Sequence, residues 1–221
     1  MRRVAGVFEQ AHTQTGMSRR EHWEQVYSGK PPDRLGWYKP RLQTSLNWIS
    51  DLSLAAAAPI IDVGGGASTL VDDLLERGYA AITVLDLAAP ALDLIKARLG
   101  EKSATVTWLC GDVTEIELSE NAYELWHDRA VFHFLTEADD RERYRNNLCK
   151  ALRPGGHLII GAFAPEAPPR CSGLPVQRYD LDLLRETLGD AFELRRQQKE
   201  MHVTPGGVEQ MYLYCEFRLQ G

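Results

Sequence analysis

The sequence predicts an α/β domain, a doubly wound and mostly parallel sheet with helices on both faces. Three observations predict it. Pro59 to Leu70 passes from a short apolar run, which suits a buried parallel strand, through three glycines into an amphipathic helix. Further apolar runs alternate with amphipathic stretches along the chain, the pattern of strand–helix–strand units. Three of the runs stop at or beside an acid, Asp62, Asp86 and Asp112, and open α/β sheets bind ligands at that edge.

With 221 residues the chain has room for one such domain with ample core. A formal net charge of −6 gives no basic footprint, so nucleic acid is not expected as a partner. No run approaches the roughly 18 apolar residues of a membrane helix, so no membrane is expected either. The four cysteines, Cys110, Cys149, Cys171 and Cys215, form no CxxC pair and no zinc-like spacing with histidine. They read as reduced thiols in a cytoplasmic protein without a metal. Residues 1–17 carry arginines but no apolar h-region, so a signal peptide is not expected. They read as a disordered extension, with Met17 an alternative start. Residues 18–50 read as a helical, aromatic segment and 51–221 as the ligand-binding domain.

In order, Ser18 to Tyr27 is expected to be a helix, because Ser18 with Glu21 makes a capping box. A loop with Trp37 and Tyr38 and a helix from about Pro40 to Ile49 lead to the first strand. Trp23, Tyr27, Trp37 and Tyr38 read either as an apolar flap on the core or as a lid. The strand Ile60–Val63 and the helix from Leu70 to Arg77 flank the glycines, and Ser68 or Thr69 can cap that helix. Ala81–Leu85 is the second strand and ends at Asp86, twenty residues after Gly66. At that spacing an acid meets the ribose of a nucleotide-type ligand. Ala91–Leu99 is a helix, Thr105–Leu109 the third strand, and Gly111-Asp112-Val113 its end. Tyr123–Arg129 is the fourth strand.

A charged helix, Asp139 to Leu152, is broken by Arg153-Pro154-Gly155-Gly156, and His157–Phe163 is the fifth strand. Residues 164–179 read as a loop with four prolines, long enough to carry function. Asp180 caps a helix from Leu181 to Leu188. The sixth strand lies within 192–203, a turn follows at Thr204-Pro205-Gly206-Gly207, and alternation from Met211 to Leu219 marks an antiparallel strand.

The glycine turn narrows the ligand. A dinucleotide site wants a third glycine or alanine where Thr69 stands, because a helix N-terminus must hold a pyrophosphate. Asp62, two residues before Gly64, opposes a phosphate and suits a cation. Aromatic faces attract such a cation.

On Asp62-Val63-Gly64-Gly65-Gly66, the acid Asp86, the acid Asp112 and the Leu152-Arg153-Pro154-Gly155-Gly156 run, the chain resembles the class I, Rossmann-like, S-adenosylmethionine (SAM)-dependent methyltransferases. The opening His22-Trp23-Glu24-Gln25-Val26-Tyr27 with Trp37-Tyr38, and the segments Cys171–Pro175 and His202–Gly206, resemble small bacterial members. The resemblance covers about residues 18–219. It implies seven strands in the order 3-2-1-4-5-7-6 with the last antiparallel, and methyl transfer from SAM with S-adenosylhomocysteine as product.

For the cofactor it implies Asp62, Gly64, Gly65 and Gly66 around the methionine, Asp86 and Leu87 at the ribose, and Gly111, Asp112 and Val113 at the adenine. Trp23, Tyr27, Trp37 and His127 complete the expected cofactor site. The strand end facing the methyl group makes His127, Asp128, Arg129 and His133 the candidates for substrate contact or proton removal. Arg129, Cys171, Arg178 and His202 are candidate acceptor-binding residues. The expected acceptor is a small molecule, with a protein lysine as the alternative. A non-catalytic SAM-binding module and a nicotinamide-dependent reductase are further readings. A monomer or weak homodimer is expected.

Overall fold

The computed structural model describes residues 16–29 and 31–221; most of the expected N-terminal extension and Lys30 lie outside them. The strands are β1 Ile60–Val63, β2 Ile82–Asp86, β3 Thr107–Cys110, β4 Tyr123–Arg129, β5 Leu152–Phe163, two short pieces β6 Arg170–Cys171 and β7 Leu174–Pro175, then β8 Phe192–Val203 and β9 Glu209–Leu219. The helices are α1 Arg19–Gly29, α2 Gln43–Asp51, α3 Leu70–Glu76, α4 Ala89–Leu99, α5 Ala138–Ala151 and α6 Leu181–Leu188.

The main sheet runs β3-β2-β1-β4-β5-β9-β8. Its first five strands are parallel, and β9 is antiparallel to both β5 and β8. This is the expected order, with β8 and β9 as the sixth and seventh strands of the sheet. The pair β6–β7 forms a separate ladder inside the expected loop. It turns at Ser172 and Gly173, both at positive φ (49° and 82°), which suits a tight hairpin turn.

The period of two along each strand splits the core in two. Ile61, Val63, Trp126, Leu158, Ile160 and Ala162 pack with Tyr144 and Leu148 of α5 and Leu184 of α6. Ile60, Val84, Leu125, Ile159 and Phe163 pack with Leu46 and Ile49 of α2, Leu74 of α3 and Ile95 of α4. Both faces are covered, which makes central strands apolar throughout.

Helix ends follow local chemistry. The Ser18 hydroxyl accepts from the Glu21 N–H (3.2 Å) while the Glu21 carboxylate accepts from the Ser18 N–H (2.7 Å), the reciprocal bonds of a capping box. Asp180 accepts from the Leu183 N–H and starts α6. One expectation needs correction. The helix ends at Ala151, before the Arg153–Gly156 run as expected, but the run lies within β5 rather than ahead of it and forms a bulge there, because the β4–β5 register shifts between Tyr123 and Leu125; Gly155, at φ +77°, supplies the turn. Strand β9 is buried on both faces, with Tyr212, Tyr214 and Glu216 out of solvent as well as Leu213, Cys215 and Phe217.

On the α5 side the Tyr144 hydroxyl accepts from Trp126 Nε1 (2.9 Å) and donates to Asp128 Oδ2 (2.7 Å). Tyr144→Phe leaves a buried N–H and a buried carboxylate oxygen unsatisfied. Denaturant unfolding is expected to show a loss of about 1–3 kcal/mol; unchanged stability would contradict the role of this bond pair.

Candidate active site

The carboxyl ends of β1 to β4 open into a cleft enclosing about 740 Å³, lined among others by Trp23, Tyr27, Trp37, Gly64, Asp86 and Arg129. A smaller recess of about 400 Å³ continues from it past Trp37, Gly64 and Arg129 to Asp62, Gly65 and His127. The glycine turn makes room. Gly64 and Gly66 sit at φ +65° and +53°, a conformation L side chains rarely adopt. A Cβ on Gly64 would strike Val131, and one on Gly66 would strike the Tyr27 hydroxyl.

Strand parity places the acids. Asp62 and Asp86 share a parity with Ile60 and Val84, toward the face covered by α2, α3 and α4. Asp86 Oδ2 accepts from the Gly66 N–H and Oδ1 from the Ala88 N–H, both at 2.8 Å. Burial nevertheless pushes its carboxyl up to about 6. Asp62 Oδ1 meets His127 Nδ1 at 2.7 Å, while its Oδ2 is buried without a partner. Beyond β3, Asp112 Oδ1 accepts from the Thr114 N–H (2.9 Å) and hydroxyl (2.7 Å), and Arg19 stands 3.5 Å from Oδ2. Leu87, Gly111 and Val113 line the same end of the cleft.

Above the cleft stand edge-to-face aromatic pairs: Trp23–Trp37 (5.3 Å), Trp23–Phe134 (5.0 Å) and Tyr27–Trp37 (5.7 Å between centroids). Three guanidinium groups tie this cluster down. Arg19 reaches Asp140, Arg20 donates to the Leu87 carbonyl (3.0 Å), and Arg129 Nη1 donates to the Trp37 carbonyl (2.9 Å).

The expected catalytic and acceptor-binding residues are not gathered in one place. Asp128 points to the α5 side, where it accepts from Tyr144 and from the Val131 and Phe132 N–H groups; burial pushes its carboxyl up to about 6. His133 Nδ1 accepts from the Phe163 N–H (3.2 Å), so its lone pair is engaged, and burial with nearby Arg129 pushes it down to about 3. His127 lies in the recess between Asp62 and Ser45.

His202 Nε2 donates to the Gly36 carbonyl (2.8 Å) and holds the loop that carries Trp37. Arg178 donates to the Pro165 and Ala167 carbonyls (2.9 and 3.1 Å), away from the cleft. Cys171 does line the cleft, and burial pushes its thiol up to about 11. Arg129 stands at the junction of cleft and recess, with Nε on the Tyr214 hydroxyl (2.8 Å) and Nη2 unpartnered.

The sequence reasoning missed Arg19, Ser45, Phe134 and Tyr214. Ser45 carried a readable signal: it is a polar residue on the stripe of Leu42, Leu46 and Ile49, at helical spacing. Tyr214 had none, because it lies between the alternating positions by which β9 is recognised.

The raised carboxyls of Asp86 and Asp128 have a measurable consequence. The unfolded chain releases these protons near pH 3.9, the folded one near 6. Between those values the folded state binds more protons, so this contribution lowers stability as pH rises. Asp86→Asn removes its share. Melting curves from pH 4 to 7 are expected to show the wild type losing stability relative to the variant across that window; parallel profiles would contradict the assignment.

Comparison with known proteins bears on the domain and its fold. Residues 60–156 match the family model described as a methyltransferase domain. The malonyl-[acyl-carrier protein] O-methyltransferase of Anoxybacillus flavithermus is 30% identical over 158 residues, covering 68% of this chain and 57% of the relative. The chain spans about half the length of the curated relatives it matches. Among solved structures, one described under the conversion of a disulfide bond into a thioacetal group during echinomycin biosynthesis superposes with a TM-score of 0.71 at 18% identity, covering 91% of each chain. The Burkholderia thailandensis 1,6-didemethyltoxoflavin-N1-methyltransferase, solved with its substrate and S-adenosylhomocysteine, gives 0.65 at 21% identity over 89% of this chain and 81% of that one. The family model thus places a methyltransferase domain at residues 60–156, and the fold is one shared with SAM-dependent methyltransferases of known structure.

Proposed function

We propose that this protein transfers the methyl group of SAM to a small-molecule acceptor by in-line displacement. The observation that carries the reading is the buried, unpartnered Asp62 Oδ2, set in a recess that opens into a cleft roofed by aromatic rings. An unpaired buried carboxylate oxygen is costly, and the ammonium of SAM supplies what it lacks. The residues fit the rest of the donor as well. The glycine turn packs closely against Val131, Val84 and Tyr27 and lines the cleft and recess with backbone free of side chains. Asp86 can accept from the ribose hydroxyls through the lone pairs its backbone bonds leave free. Gly111, Asp112 and Val113 flank the end suited to adenine.

When bound, SAM supplies a methyl group already activated by its sulfonium charge. The chain's own work is then alignment and exclusion of water, and alignment alone is worth roughly 7–11 kcal/mol. Residues 18–38 act as the lid: Trp23, Tyr27 and Trp37 present π faces to a cation and keep water out. His133 has no free lone pair, Asp128 faces the other side of the sheet, and the Cys171 thiol stays protonated at neutral pH. None of the three serves as a base. The acceptor therefore arrives with its own nucleophile, such as a carboxylate, a thiolate or a neutral amine. The aromatic roof, with Trp23 against Phe134, favours a compact ligand over an extended peptide.

An acceptor screen tests this, with S-adenosylhomocysteine release and product mass read together. Turnover with small carboxylates, thiols or amines is the expected result. Turnover confined to protein lysines would contradict the acceptor class, and donor binding without turnover on either panel would mark a binding module. A second test addresses the lid. Trp23→Ala is expected to cut the affinity for SAM by about 2–30-fold, the range of a cation–π contact, and to cut that for neutral S-adenosylhomocysteine less. Equal losses in calorimetry would remove the sulfonium from the argument.

A further inference from the structure

Two charged side chains at the recess each have one arm engaged and one arm free: Asp62 with Oδ2 unpartnered and Arg129 with Nη2 unpartnered. Their engaged arms lead into neighbouring buried side chains. Arg129 Nε donates to the Tyr214 hydroxyl at 2.8 Å. Ser45 lies beside Tyr214. Ser45 Oγ lies 2.9 Å from His127 Nε2, and His127 Nδ1 lies 2.7 Å from Asp62 Oδ1. Ser45, His127 and Tyr214 are each buried to within about 1%.

Chemistry fixes the two ends of the run. Arg has donors only and a carboxylate has acceptors only. Arg129 therefore donates to the Tyr214 oxygen and His127 donates from Nδ1 to Asp62, and with His127 neutral its Nε2 accepts from Ser45. The three residues come from α2, β4 and β9, so no local turn or cap explains the run.

We propose that Ser45, His127 and Tyr214 form a positioning relay that holds Asp62 and Arg129 as a matched pair for an α-amino acid group, the ammonium on Asp62 Oδ2 and the carboxylate on Arg129 Nη2. The inference deepens the SAM reading and rests on it: the amino acid end of the donor is the zwitterion that fits. It also moves His127 from the reaction to the placement of the donor. The relay residues touch no reacting atom and act through the two charges they orient.

The experiment compares S-adenosylhomocysteine with 5′-methylthioadenosine, which keeps the nucleoside and lacks the amino acid end. Both are titrated calorimetrically against the wild type, Ser45→Ala, Tyr214→Phe and Ser45→Thr. Tyr214→Phe keeps the ring and removes one hydroxyl, and methylthioadenosine binding reports that each variant is folded. Loss of charge-assisted contacts predicts that Ser45→Ala and Tyr214→Phe weaken S-adenosylhomocysteine on the order of tenfold. Methylthioadenosine should change less than about twofold, and Ser45→Thr, which keeps the hydroxyl, should restore the ratio. An unchanged ratio with both ligands weakened together would overturn the relay and leave a merely structural run. Failure of the wild type to bind either nucleoside would instead overturn the SAM reading beneath it.

Discussion

The structure depends on a buried carboxylate that is only half satisfied. Asp62 sits on β1, the strand between β2 and β4, and is almost wholly out of water. His127 meets one of its oxygens and nothing among the described residues meets the other. A fold that tolerates such a charge needs a rigid sheet to hold it and a ligand of opposite charge to complete it. Of the three glycines that follow, Gly65 leaves that open oxygen without a side chain beside it, and the acid at the end of β2 bonds back to Gly66. A phosphate-bearing cofactor would meet repulsion here, whereas a cation meets its counter-charge.

Strand parity then decides which residues serve the cleft. On β4 the titratable run His127-Asp128-Arg129 divides between the two faces of the sheet. His127 and Arg129 turn to the α2 side, with Asp62; Asp128 turns to α5 and fastens the strand end through Tyr144. Adjacent residues of similar chemistry therefore do different work. The same division puts Tyr214 of β9 beneath Arg129, although β9 is far from the glycine turn in sequence.

Much of the fold was legible because it is written in short-range pattern. The apolar strand, glycine turn and helix unit, repeated with helices between strands, leads to the observed sheet, and the capping box at Ser18 and the Asp180 cap are where local rules put them. The acids at strand ends were legible for the same reason, since each closes a short apolar run. What was not legible depends on distant pairing. The Arg153–Gly156 run reads as a helix stop, and the helix does stop before it, but its bulge within β5 appears only once β4 fixes the register. Arg178 and His202 read as acceptor-binding groups, and in the fold Arg178 donates to carbonyls of its own loop and His202 to the Gly36 carbonyl, remote in sequence. Tyr214 acquires meaning only when β9 pairs with β5 and brings it to Arg129 of β4.

The claim on which the account rests is that the cleft is shaped for a positively charged, phosphate-free adenosine compound. Native mass spectrometry of the full chain in an equimolar mixture of SAM, S-adenosylhomocysteine, NADPH and ATP tests it most directly. The account predicts one bound mass, that of SAM or its product. Retention of NADPH or ATP, or of no adenosine compound at all, would contradict it.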